Sequence, residues 1–138
     1  MQGRISEIFE FMEATEAVMK TSLYKNQNRF RNDKAFKGMR MILKSIDRLR
    51  SLRIVDSIRR FNDTLPLASD ISETTSTLYL PMKNLLQQVL LLMIAYFEQA
   101  QRLIGLCEYT VSYLNARIRL GHFWNWAVFS LANTSRLW

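Results

Sequence analysis

A chain of 138 residues that is 49% hydrophobic and carries +7 at neutral pH is long enough to bury a core and too apolar to be disordered throughout. One cysteine excludes an intrachain disulfide, and one histidine leaves almost no material for a His-rich zinc site or a histidine-dependent triad. The charge is concentrated, because residues 20–60 hold thirteen Lys/Arg against three Asp while residues 1–19 carry one Arg against four Glu. A basic field of that kind gathers phosphate-bearing partners, with nucleic acid first and an anionic membrane surface second.

From the N-terminus, Ile5, Ile8, Phe9, Met12, Met19 and Leu23 recur at helical spacing and predict a first helix from about Ser6 to Arg31. The Glu-rich start has no apolar core or small-residue cleavage site, so it does not read as a secretory signal. Glu7, Glu10, Glu13 and Glu16 fall at three-residue spacing. Without an accompanying His, this row reads as a solvated helix face and not as a metal site.

Asn32 and Asp33 are N-cap candidates for a second helix. On it Phe36, Met39, Leu43, Ile46 and Leu49 share one face, and Lys34, Lys37, Arg40, Lys44 and Arg48 occupy the opposite one. Ile54–Phe61 suits a short extra helix. Asp63–Thr77, with seven Ser/Thr in fifteen residues plus Pro66, reads as a long loop, and Pro81 suits the start of the next helix. From there to about Asn115 the chain is apolar on most sides, which predicts the central helix of a bundle. Val89–Phe97 is only nine uninterrupted apolar residues, short of the roughly 18 that a membrane span needs. A last helix, from about Gly121 to the end, carries Phe123, Trp124, Trp126 and Phe129; the two Trp cannot both face one side.

The expected fold is therefore all-α, a four-helix-bundle-like single domain over residues 1–138 with long helices and one long Ser/Thr-rich loop. Ser135-Arg136-Leu137-Trp138 is mid-helix in character, so we expect this to be the N-terminal domain of a longer protein. Neither Gly-rich phosphate loop is present, and Cys107 in an apolar run has no nearby cation to lower its pKa. The expectation is a protein with no enzyme active site and no cofactor, in a reducing compartment.

One stretch stands out, Leu23-Tyr24-Lys25-Asn26-Gln27-Asn28-Arg29-Phe30-Arg31. It offers cations, directional amides and aromatic faces together and runs into the basic helix. The candidate binding residues for RNA or a partner are Asn26, Asn28, Arg29, Arg31, Lys34, Lys37, Arg40, Lys44 and Arg48. Two roles are open for Asn26 and Asn28, tying down the helix junction or reading an RNA edge.

The residues Leu23-Tyr24-x-Asn26-x-Asn28-Arg29, Leu43-Lys44, Arg48-Leu49 and Ser57-Ile58 together resemble the N-terminal domain of the nucleolus and neural progenitor protein family. Leu120-Gly121-x-Phe123 and the closing Ser135-Arg136-Leu137-Trp138 resemble the end of the same domain. The fungal RNase MRP-specific subunit is similar at both places, with a His where this chain has Asn28. The resemblance spans about residues 20–138, and Asp63–Thr77 finds no counterpart in it.

What the resemblance implies is a non-catalytic, nucleolar accessory subunit of ribonuclease MRP, in which RNA carries the chemistry and proteins support precursor ribosomal RNA processing. The implied partners are the RNase MRP RNA and protein subunits of that particle, with no small-molecule substrate and no membrane. A rival reading from the residues alone is a helical protein–protein adaptor with a basic docking face and no RNA contact.

Overall fold

In the computed structural model, residues 2–65 and 83–138 are described, the side chains of residues 2–6 and 9 excepted. They form five helices: α1 (Gln2–Phe30), α2 (Lys34–Ser51), α3 (Ile54–Asp63), α4 (Lys83–Arg119) and α5 (Trp124–Leu137). No strand occurs among the described residues. The four long helices close a ring in which α1 meets α2, α2 meets α4, α4 meets α5 and α5 returns to α1; α3 packs against α4 and α1. This is the expected all-α bundle. Of the expected Ser/Thr-rich loop, Asp63 belongs to α3 and most of the remainder, with Pro81, lies outside the described residues.

The breaks between helices follow local chemistry. Asp33 caps α2, its carboxylate accepting from the Phe36 N–H at 2.9 Å. Arg53, at φ 45°, separates α2 from α3. The last helix starts at Trp124 and not at Gly121, because Gly121 and Phe123 both take positive φ, 69° and 52°, and a helix cannot run through that backbone.

The core is built on α2, which buries Phe36, Met39, Ile42, Ile46 and Leu49 against Met19, Leu23 and Phe30 of α1 and Leu103 and Cys107 of α4. Each of these large side chains contributes about 1.5–3 kcal/mol by leaving water. The α2–α4 crossing is close. A Cβ at Gly38 would collide with Thr110 Oγ1 and sit 3.2 Å from its Cβ, so only glycine lets the two helices approach this way.

Two expectations need correction here. The first is the solvated carboxylate row. Glu7, Glu10 and Glu13 are exposed, but Glu16 is 2% exposed and bonded by Arg50 of α2 at 2.6 Å and by Lys20. The second concerns α4, which occupies a corner of the ring and not its centre. At 37 residues it is about 55 Å long, whereas the 18 residues of α2 reach about 27 Å, so its N-terminal half outruns its partner. Leu86, Leu90, Leu91, Ile94 and Phe97 are left exposed there. Within α4 an 18-residue window averages a hydropathy of 1.3 and is 6% buried, so by length and composition this helix is apolar enough to cross a membrane. Counting uninterrupted apolar residues missed that, because an average absorbs the isolated polar positions.

Candidate nucleic-acid interface

The outer face of α2 is where the sequence concentrates charge. Its helical spacing puts the apolar positions inward, and Lys34, Lys37, Arg40, Lys44 and Arg48 are all exposed on the opposite arc. Asp47 is the one carboxylate on the outer surface of this helix. The result is a strip of cations about four turns long, almost free of compensating charge.

On one flank the strip descends into a groove between α1 and α2, about 320 Å³ in volume, lined by Lys20, Tyr24, Gln27, Arg40, Lys44 and Asp47 among others. Tyr24 is 75% exposed. Cations, an amide and an aromatic face therefore converge in one place, which is the combination that a folded or single-stranded RNA surface calls for. The groove's α1 residues Lys20, Tyr24 and Gln27 stand outside the nine candidates. Their signal was the i, i+4, i+7 spacing of Lys20, Tyr24 and Gln27, which places them on one flank of α1.

The candidates from the Asn-rich stretch do not all join this surface. Asn26 donates through Nδ2 to the Ser22 carbonyl at 2.8 Å and is half-buried. It lines a different groove of about 620 Å³, between α1 and α5, with Asn125, Trp126 and Phe129. Asn28 is exposed, as is Arg31 in the turn after α1. Arg29 lies on the α5 flank. Its guanidinium sits 4.0 Å from the centre of the Phe123 ring and 5.7 Å from that of Phe30. The expected continuity of Arg29 with the α2 stripe is corrected accordingly, since helical rotation carries position 29 to the side of Lys25 and away from Gln27.

Arg29 instead belongs to a junction at one end of the bundle. Phe30 stacks on Trp126 at 4.5 Å and meets Phe123 edge-on at 5.2 Å. Arg117, near the end of α4, stands 5.3 Å from the Phe30 ring centre and donates through Nε to Asp33 Oδ2 at 3.0 Å, with a second ion-pairing contact through Nη2. Asp33 thus caps α2 and clamps it to α4 at once. Lys34 places Nζ 5.3 Å from the Tyr113 ring centre. Arg117 lies 84 residues from Asp33, so no local sequence pattern links the two.

The other chemical groups are muted. Cys107 is buried, and burial first, then the neighbouring Glu108, pushes its thiol up to about 11, which leaves almost no thiolate near neutrality. Trp126 faces the core while Trp124 is 58% exposed. Among the described residues no three His, Cys, Asp or Glu side chains gather where a metal ion would fit.

The nucleolus and neural progenitor protein N-terminal family model matches residues 4–138. Nearly the whole sequence is covered, and the chain belongs to that family. Comparison with curated proteins and with solved structures returns no match.

Proposed function

We propose that this member of the nucleolus and neural progenitor protein N-terminal family is a non-catalytic RNA- and protein-binding module of the ribonuclease MRP ribonucleoprotein. Its role is to support precursor ribosomal RNA processing in the nucleolus. The observation that carries the reading is the outer face of α2, where five exposed cations meet one carboxylate beside the groove of Lys20, Tyr24 and Gln27. Lys37, Arg40, Lys44 and Arg48 contact phosphates and set the register of the RNA. Such contacts confer no sequence preference, so selectivity comes from RNA shape and from neighbouring proteins. The family's name, which ties it to the nucleolus, supports the location.

A second surface supports the protein-binding half. Leu90, Leu91, Ile94 and Phe97 of α4 are all at least 50% exposed, and an apolar strip of that kind is a usual seat for a protein partner. Taken without the basic face, the same strip favours the rival reading, a helical adaptor that docks proteins and touches no RNA. Membrane-surface association through the basic face is not part of the proposal, because the apolar side of α2, which would have to enter lipid, is packed into the core.

The test is to tag the natural full-length protein in cells, crosslink, purify it and sequence the bound RNA. Enrichment of RNase MRP RNA with crosslinks in α1 and α2 supports the proposal. Enrichment of proteins with no RNA above background leaves the adaptor.

A further inference from the structure

The bundle end holds a cavity of about 540 Å³ between two turns, the one joining α1 to α2 and the one joining α4 to α5. Asn32, Lys34, Tyr113, His122 and Phe123 line it, and the Asp33–Arg117 pair closes one side. We infer that this cavity takes one unpaired nucleotide of an RNA strand whose backbone continues along the α2 stripe. The inference rests on the RNA-binding reading and adds a site to it.

The argument begins with the backbone. Positive φ at Gly121 and Phe123 turns the chain sharply, and Phe123, which lines the cavity, leaves 45% of its surface exposed. Arg29 at 4.0 Å and Phe30 at 5.2 Å fix that ring in place. A preset aromatic surface of this kind loses little entropy when a base stacks on it. Tyr113 supplies a second ring, held edge-to-face against Tyr109 at 4.8 Å.

Charge and hydrogen bonding complete the match. The Asp33 carboxylate already accepts from the Phe36 N–H and from Arg117, so its charge is largely answered and repels an incoming phosphate weakly. Lys34 stands at the rim with its ammonium near Tyr113, and it is also the first cation of the α2 stripe. Asn32 and His122 are exposed and offer directional donors and acceptors toward a base edge. A paired base inside a duplex cannot reach these rings, whereas an unpaired one at a loop, bulge or strand end can.

The test compares the affinity of the chain for a blunt RNA duplex with that for the same duplex bearing a short single-stranded extension. The inference predicts tighter binding of the extended RNA by about tenfold, the usual scale for one stacked base. Phe123→Leu and Tyr113→Leu should each bring the extended RNA down toward the blunt value while leaving blunt-duplex affinity unchanged. His122→Ala, at an exposed position where folding is not at risk, should lower the preference by a smaller factor. Equal affinity for both RNAs, or an equal loss on both from these variants, overturns the inference and leaves the α2 interface standing. Failure to bind either RNA removes the interface and the nucleotide site together.

Discussion

The guanidinium of Arg29 lies 4.0 Å from the centre of the Phe123 ring, joining the Asn-rich end of α1 to the turn that starts α5. These two places carry the motifs by which the sequence resembles its family, and they are 94 residues apart in the chain. The motifs are therefore two halves of one junction. Arg29 binds an aromatic face within the fold, and its charge is partly spent there.

That relationship can be measured. A double-mutant cycle with Arg29→Ala and Phe123→Ala should give a favourable coupling of about 0.5–1 kcal/mol, as expected for a cation–π pair at a partly exposed site. Simple additivity of the two substitutions in denaturant unfolding would make the pair a contact without energetic weight.

The α2–α4 crossing gives a sharper stability prediction. Gly38→Ala replaces hydrogen with a methyl that runs into Thr110, whose Oγ1 is tied to the Leu106 carbonyl at 2.7 Å and cannot simply rotate away. We expect a loss of about 1–3 kcal/mol despite alanine's better helix propensity. Pairing it with Thr110→Ala, which clears the Oγ1, should recover part of the loss. Unchanged or increased stability in the single variant would show that the helices can separate at little cost.

Glu16 sets the acid response. Burial raises its carboxyl, but hydrogen bonds and charge from Lys20 and Arg50 outweigh that and hold it below its ordinary value of 4.5. A depressed carboxylate contributes stability that is complete above the unfolded value and is lost as pH falls through the folded one. Unfolding measured from about pH 7 down to about pH 3 should therefore show wild type losing its advantage over Glu16→Gln only below about pH 4.5. A difference independent of pH would remove the ion pairs from the account.

Much of the fold was legible because its determinants are local. The alternation of apolar and basic positions on α2, the Asp33 cap and the order of the helices can all be read from neighbours three or four residues apart. What escaped depends on distant partners. Glu16 looked like a member of a solvated row until Arg50, 34 residues on, proved to bury it. The exposed face of α4 follows from the lengths of two different helices, which no window of one helix contains. The candidate site divides in the same way. Lys37, Arg40, Lys44 and Arg48 share a face as their spacing required, while Asn26 and Arg29 turned out to face α5, on the far flank of α1 from the α1–α2 groove.

The central claim is that the outer face of α2 binds RNA phosphates, and a salt series on the triple variant Lys37→Glu, Arg40→Glu, Lys44→Glu tests it most directly. All three side chains are exposed, so helicity and melting should be preserved. Between about 50 and about 300 mM salt, wild-type affinity should fall steeply, and the variant should bind more weakly with a log–log slope shallower by about 2. Equal affinity and equal slope for the two proteins would contradict the claim and leave the face of α2 without a role in RNA binding.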